Sequence, residues 1–354
     1  MKCSAIMTSK AAAVGNGFVI TKIGRLNYPN PDIEIRNKFE FSNNRTAMIP
    51  DLGRDIMPVV ESRSVFSGIP VSEAMRRQVV RLPQTGEIAQ AIRLMIRYKA
   101  NAVLLTDNDM PCGVVSKTDL LGAMYAQMPT STPLASVMGG QPIACFPDDS
   151  VEDALEIMEA AGVHRIYVIG AHRGEVIGAV AYAEIVGLLY RYCRACERGM
   201  AKKRKKRLPI EPSARLTVRD VMTRGAWSCR ASDTLFGVIE SLSAHHMGAV
   251  LVMDESESPV GVISKTDLVV AYHHGVSSET RARGIMNSPV HSIPADARLS
   301  DAIQQMLVED VQRLFVRKEV SDPSSVTGVL ALSDSARFRS GSCRACTAGR
   351  MLIR

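Results

Sequence analysis

The chain has 354 residues, a formal net charge of +7, 46% hydrophobic residues and only 5% aromatics. The length suggests about two domains, and the aliphatic composition supports a full core. No run of about 18 apolar residues occurs, so nothing in the sequence reads as a membrane span.

Residues 1–68 are polar and irregular, with "NYPNPDIEIRNKFEFSNNR" at their centre. They carry no helix-turn-helix pattern and no catalytic motif. The expectation is a flexible arm with a short segment that packs on the body. "MKCSAIMTSK" is interrupted by Lys10 before any apolar run forms, so it does not read as a secretory signal. A cytoplasmic location and eight reduced cysteines are therefore expected, as thiols or metal ligands and not disulfides.

From residue 69 onward the chain repeats itself. "GVVSKTDL" at 113–120 returns as "GVISKTDL" at 261–268. "VSEAM" at 71–75 matches "VRDVM" at 218–222, and "SVMGGQPIACFPDDS" from Ser136 parallels "GIMNSPVHSIPADAR" from Gly284. The two halves are thus offset by 147 or 148 residues. Each half also divides, because Met75, Met138, Met222 and Met286 each close a short opening segment.

Four units of about 60 residues follow, at 69–130, 131–198, 215–278 and 279–340, with a basic linker at 199–214 and a tail at 341–354. In each unit the pattern predicts a strand ("VVRL" at 79–82, "VHSI" at 290–293), then an amphipathic helix, two β-branched strands and a closing helix. In the first unit Thr85 is placed to cap the first helix, and Ile88, Ala91, Ile92, Met95 and Ile96 share one face. Leu299, Ala302, Ile303, Met306 and Leu307 keep that spacing in the fourth. The fold class is α/β (α+β), β-α-β-β-α four times over.

"KKRKKR" at 202–207 accounts for six of the positive charges, so the body is nearly neutral. Such a run stays solvated. It reads as an exposed linker, with binding to phosphate-rich surfaces or nucleic acid as the alternative.

On the Met-closed opening segments, the β-α-β-β-α order and the glycine-strand-Ser/Thr-x-x-Asp close, the chain resembles a cystathionine-β-synthase (CBS) domain protein over about 69–340. It resembles two tandem pairs, or Bateman modules. The resemblance implies an α/β sandwich in which two units pair about a pseudo-twofold axis, with two clefts per pair that bind adenosine-type ligands. AMP, ADP, ATP or S-adenosylmethionine is the implied ligand. The assembly expected is a disk within one chain or a homodimer.

The residues fit that use. The repeated tetrad lies where a strand ends and a helix begins. Free N–H groups and the helix dipole favour phosphate there, beside Ser116, Thr118, Ser264 and Thr266. Asp119 and Asp267 fall in the first helical turn, where two oxygens can accept from a ribose diol. In the family the Ser/Thr contacts phosphate and the Asp contacts ribose. Lys117 and Lys265 add charge or point to solvent. The competing reading is that Ser-x-x-Asp is an ordinary capping box.

The second and fourth units depart from the pattern. "GAVAYAEI" has Ala181 and Glu184 at the key positions, and "GVLALSDS" has Ala331 and Asp334. Glu184 is one methylene longer, whereas Asp334 keeps the ribose role. These units bring Arg165 and Arg313 instead, again 148 apart, where the odd units have Asn101-Ala102 and Gly248-Ala249. The resemblance places those arginines near ligand phosphates.

"CRAC" also occurs twice. Cys193 and Cys196, with Cys343 and Cys346, supply four thiolates, enough for tetrahedral zinc or an iron–sulfur cluster, or for a dithiol switch. Cys112, Cys145 and Cys229 fall on strands and read as small core residues. The pairs His245-His246 and His273-His274 read as loop or helix-end residues.

The leading expectation is a non-enzymatic nucleotide sensor whose module arrangement is read by an effector protein. A metal or redox sensor through the CxxC pairs is the alternative, and a nucleic-acid-associated protein through the linker another. An enzyme such as inosine-monophosphate dehydrogenase needs a barrel of about 250 residues, for which the chain has no room outside the four units.

Overall fold

The structure is a computed structural model, and it describes residues 65–170, 175–204, 216–318 and 325–338, together with the two-residue strand β1 (Val19–Ile20). The first unit contains α1 (Val71–Ala74), β2 (Arg81–Pro83), α2 (Ile88–Arg97), β3 (Ala102–Asp107), β4 (Met110–Ser116) and α3 (Lys117–Tyr125). The second contains β5 (Ile143–Cys145), α4 (Val151–Ala160), β6 (Arg165–Ile169), β7 (Val176–Ala181) and α5 (Tyr182–Arg204). The third has β8 (Thr223–Arg224), β9 (Ser228–Arg230), α6 (Leu235–Ala244), β10 (Ala249–Met253), β11 (Pro259–Ser264) and α7 (Lys265–His273). The fourth has β12 (Ser292–Pro294), α8 (Leu299–Val308), β13 (Arg313–Arg317), β14 (Val326–Ala331) and α9 (Leu332–Phe338).

Every unit shows the same sheet. β2, β5, β9 and β12 run parallel to β3, β6, β10 and β13, which pair antiparallel with β4, β7, β11 and β14. Two sheets gain a fourth strand, β1 beside β5 and β8 beside β14. Val19–Ile20 of the N-terminal region thus pair with the sheet of unit two. Phe66, fully buried at the end of the expected arm, is a second anchor.

The opening segments are exchanged within each pair of units. Val71 N donates to Asp149 O and Ser72 N to Pro147 O, so the start of unit one docks on unit two. Leu134 N donates to Gly86 O and Ala135 N to Gln84 O in return. The third and fourth units repeat the exchange, through Val218 N to Ala297 O and Ala282 N to Asp233 O. The methionine that closes each segment then rests on a glycine of the partner's last strand. Added Cβ atoms at Gly113, Gly178, Gly261 and Gly328 would meet the sulfurs of Met138, Met75, Met286 and Met222 at 1.8, 2.9, 2.8 and 3.0 Å. A side chain there would break the close approach that pairs the units.

Three cores hold the assembly. Leu104, Ala144, Tyr167, Ile169, Val176 and Ala179 join the sheets of units one and two. A second core joins units one and three across α2, α3, α6 and α7, where Tyr125 stacks on Phe236 with ring centroids 4.4 Å apart. A third joins units two and four across α4, α5, α8 and α9. The modules thus pack helix to helix within one chain.

Several local expectations shift. Thr85 does not cap α2. The helix starts at Ile88 with Glu87 as N-cap, and Glu87 N donates to Gln90 Oε1, so the cap lies two residues later. The first strands begin late, at Arg81 and Ser292 instead of residues 79 and 290. Ile96 is exposed, whereas Ile88, Ala91, Ile92 and Met95 are buried. α5 continues to Arg204, so residues 199–204 of the expected linker prolong a helix, including the first three cations of the basic run. The remainder of that run lies outside the described residues. Cys145 is buried, and Cys112 and Cys229 are half-buried against the core.

Gly328 offers a direct check on the pairing. A methyl group there would lie 2.5 Å from the backbone oxygen of Thr223, which has no flexible end to retreat. Gly328→Ala should destabilise by about 1–3 kcal/mol in urea unfolding. Gly122→Ala, on an open face of α3, should be neutral or stabilising by up to about 1 kcal/mol.

Candidate functional site

After the first helix of each unit the chain turns through a left-handed residue. These are Lys99, Gly162, His246 and Asp310, at φ of 51, 64, 52 and 57°. The turn ends the helix and aims the next strand back into the sheet. The strand then starts with Ala102, Arg165, Ala249 or Arg313. These four strand starts converge where the two modules meet. Asn101 and Gln312 exchange long amide contacts of 3.5 Å, and beside them Lys99 pairs with Asp310 on the surface. Arg313 lies against Gly248, where an added Cβ would fall 2.0 Å from a guanidinium nitrogen. The missing side chain in unit three makes room for the arginine of unit four.

The two Ser-Lys-Thr-Asp tetrads face this same junction. Lys117 Nζ donates to Thr266 Oγ1 at 2.8 Å, and Lys265 Nζ donates to Thr118 Oγ1 at 2.8 Å. Each lysine reaches the opposite tetrad, across the pseudo-twofold axis. Asp267 favours the charge on Lys117, and Asp119 that on Lys265. Burial outweighs these attractions. It pushes the Lys117 ammonium down to about 8, with Arg165 and Arg313 adding repulsion, and lowers Lys265 beside Arg313. Arg313 is itself lowered by burial despite Asp334. Arg165 Nε is buried with no hydrogen-bond partner among the described residues. His164 is held below its usual range by burial and then by Arg337, Lys265 and Arg313.

Capping accounts for part of each tetrad. Asp119 Oδ2 accepts from Ser116 N at 2.6 Å and from Ser116 Oγ at 2.7 Å. Asp267 Oδ2 accepts from Ser264 N at 2.7 Å and from Ser264 Oγ at 2.6 Å. Both serines complete the box with the N3 backbone. One carboxylate oxygen of each aspartate is therefore engaged by the helix start; the other, Oδ1, lies beside Gly139 at Asp119 and accepts from Asn287 Nδ2 at Asp267. In the even units Glu184 accepts from Ala181 N at 3.1 Å and Asp334 from Ala331 N at 2.8 Å. The acid keeps its capping role where the serine is replaced by alanine. Burial raises Asp334.

The structure thus brings Ser116, Thr118, Asp119, Ser264, Thr266, Asp267, Arg165, Arg313 and Asp334 to one neighbourhood. Sequence reasoning left the direction of the two lysines open, and it named Gly248 only as a place without a cation, missing that it makes room for Arg313. The signal for Gly248 was present, as the odd-unit glycine aligned with Gln312, just before the arginine. Of the proposed metal ligands, Cys193 is buried on α5, the side chain of Cys196 and both Cys343 and Cys346 lie outside the described residues. Among the described residues no group of three or more His, Cys, Asp or Glu is arranged to hold a metal. Burial pushes the thiols of Cys145 and Cys229 up to about 12 and about 11, which leaves them unreactive at neutral pH. The histidine pairs sit at helix ends, with His245 stacked on the exposed Trp227. No helix among the described residues is long and apolar enough to cross a membrane.

The depressed Lys117 makes stability depend on pH. Between about pH 8 and its ordinary 10.5, the unfolded chain binds this proton more tightly than the folded one. The destabilisation is therefore full below pH 8 and is relieved as pH rises towards 10.5. Melting curves of Lys117→Met and wild type should show the variant's relative advantage to be greatest at pH 7 and to shrink by pH 10. A difference that stays constant over this range would place the lysine in ordinary solvent.

The CBS domain model matches residues 71–126, 134–191, 218–274 and 282–334, more than half of the chain. Among solved structures, protein MJ1225 from Methanocaldococcus jannaschii superposes with a TM-score of 0.63 at 16% identity, covering 76% of this chain and 99% of that one. A conserved protein from Pyrococcus horikoshii superposes with a TM-score of 0.50 at 12% identity, covering 77% and 100%. In sequence, the protein MK0525 of Methanopyrus kandleri is 26% identical over 34% of this chain and 60% of its own length. The Arabidopsis thaliana CBS domain-containing protein CBSCBSPB5 is 23% identical over 74% of this chain and 52% of its own. The chain thus spans about half to two-thirds of the length of these two relatives. With four matched units, exchanged openings and the same fold as MJ1225, this chain belongs to the CBS-domain family.

Proposed function

We propose that this chain is a regulatory protein that binds adenosine-type nucleotides at the junction of its two modules and signals through the arrangement of those modules. The observation that carries this reading is the charge at the junction. Lys117, Lys265, Arg165 and Arg313, one from each unit, converge there. All four are half-buried, and desolvated cations are retained where something compensates them. Asp119, Asp267 and Asp334 offset part of this charge, favouring Lys265, Lys117 and Arg313 in turn, yet burial still lowers all three of those cations. An anion at the N-termini of α3 and α7 would satisfy the cations, the helix dipoles and the orphaned Arg165 Nε together.

The carboxylate oxygens of Asp119 and Asp267 that the helix caps do not use add a second requirement. A carboxylate beside a phosphate site suits a ligand that carries hydroxyls next to its phosphate, as a ribose phosphate does. That geometry favours a nucleotide over a bare inorganic anion. AMP, ADP and ATP meet it. S-adenosylmethionine brings the ribose without the phosphate and so would use only half of the site. Ligand would shift the balance between module arrangements only by binding one of them better. The neutralised junction, drawn together by a shared anion, is the form it would favour, and an effector protein would read that form.

A thermal-shift panel tests this reading. AMP, ADP or ATP should raise the melting temperature by several degrees at millimolar concentration, adenosine and inorganic phosphate by less, and Asp119→Ala and Asp267→Ala should blunt the response. Absence of a shift with every adenosine compound would overturn the reading. Mutants that respond like wild type would move the site away from the tetrads.

A further inference from the structure

The two tetrads have the same letters, and their serines and aspartates make the same capping bonds. They differ in what stands against the carboxylate oxygen that the cap does not use. At the unit-three tetrad, Asn287 Nδ2 of unit four donates to Asp267 Oδ1 at 2.7 Å. At the unit-one tetrad, the equivalent residue, one after the closing methionine of unit two, is Gly139. No hydrogen bond reaches Asp119 Oδ1 among the described residues. The main chain of Gly139 passes so close that an added Cβ would fall 2.7 Å from Oδ1 and 2.9 Å from Oδ2.

The backbone around both residues is bonded to the last strand of the neighbouring unit, but the pairing differs by one residue. Val114 accepts from Gly139 N and donates to Gly140 O, whereas Val262 exchanges both of its bonds with Asn287. The segment is a wall of the site in both modules, and the side chain that it presents to the aspartate changes from a hydrogen atom to an amide.

From this asymmetry we infer that the two nucleotide sites are ranked, with the Asp119 site open to a ribose diol and the Asp267 site self-occupied by the Asn287 amide. The inference rests on the nucleotide reading above and names what sets affinity within it. Asn287 stands where a ribose hydroxyl would donate, so a ligand at Asp267 must first displace a charge-assisted hydrogen bond. At Asp119 nothing has to be displaced. One such bond corresponds to roughly tenfold or more in affinity. The protein would then fill one site at low nucleotide concentration and the second only at higher concentration. Asn287 is a specificity-determining residue in this scheme and, with Gly139, decides which module responds first.

Isothermal titration of the full chain with AMP, and separately with ATP, tests this. Wild type should show two steps about tenfold or more apart, the tight one lost in Asp119→Ala and the weak one in Asp267→Ala. Asn287→Gly should strengthen the weak step towards the tight one and leave the tight step unchanged. Because Asn287→Gly only removes side-chain atoms from a wall that tolerates glycine in unit one, it is expected to fold, and circular dichroism checks that it does. Gly139→Asn should weaken the tight step. 2′-Deoxy-AMP should reduce the gap between the steps, since it withdraws a hydroxyl from competition for the open oxygen. Two equal steps in wild type, a tight step that follows Asp267, or a gap unaltered by Asn287→Gly would each overturn the ranking while leaving the nucleotide reading intact. Failure of every adenosine compound to bind wild type would instead overturn the reading on which it rests.

Discussion

The structure depends on the exchange of opening segments between the two units of a pair. Each unit lends its first residues to the partner, and each loan ends in a methionine laid on a partner glycine. Neither unit completes its own sheet edge or its own core without the other. The exchange also fixes position. The residue after each methionine, Arg76, Gly139, Thr223 or Asn287, is bonded through its backbone to the partner's last strand. Gly139 and Asn287 also lie against the aspartate of the helix start that follows that strand. The same contact that pairs the units therefore builds one wall of the Asp119 and Asp267 sites.

Pairing in turn determines where charge can accumulate. The sheets of units one and two face each other through a small apolar core, which leaves the helices free to meet the other module. The N-termini of α3 and α7 then approach the strand starts that carry Arg165 and Arg313. Four cations from four units end in a partly desolvated space, where burial first, and repulsion from the arginines second, lowers Lys117 and Lys265. Such a junction is held together by the apolar packing around it and opposed by its own electrostatics. Under the proposed function, an anion would act on that balance by removing the opposing contribution while leaving the packing untouched.

Much of this was legible in the sequence. The offset of 147 or 148 residues disclosed the doubling. The spacing of Met75, Met138, Met222 and Met286 disclosed the four units, and β-branched runs with helical periodicity disclosed their order. These signals are strong because a repeated unit must bury the same faces each time. The cap at Glu87 was not legible, since Thr85 is the better capping residue by type and only the turn geometry puts the helix start two positions later. The extension of α5 through the first cations of the basic run escaped for a similar reason. A charged stretch reads as solvated, and a solvated helix is still a helix. Left-handed turns at Lys99, His246 and Asp310 gave no signal either, because glycine occupies only one of the four equivalent places.

The tetrads show why a motif underdetermines its site. "SKTDL" is identical in both halves, so any argument from those letters assigns the two copies the same role. What separates them lies about 20 residues downstream, in a segment belonging to the next unit. There the aligned words "MGG" and "MNS" differ at the one position that touches the aspartate. The lysines make the same point in the other direction. Their letters match and their environments nearly match, but each serves the opposite tetrad, so neither site can be assigned from its own unit alone. In a protein built by repetition, the copies preserve the scaffold, and the residues contributed across unit boundaries make its sites different.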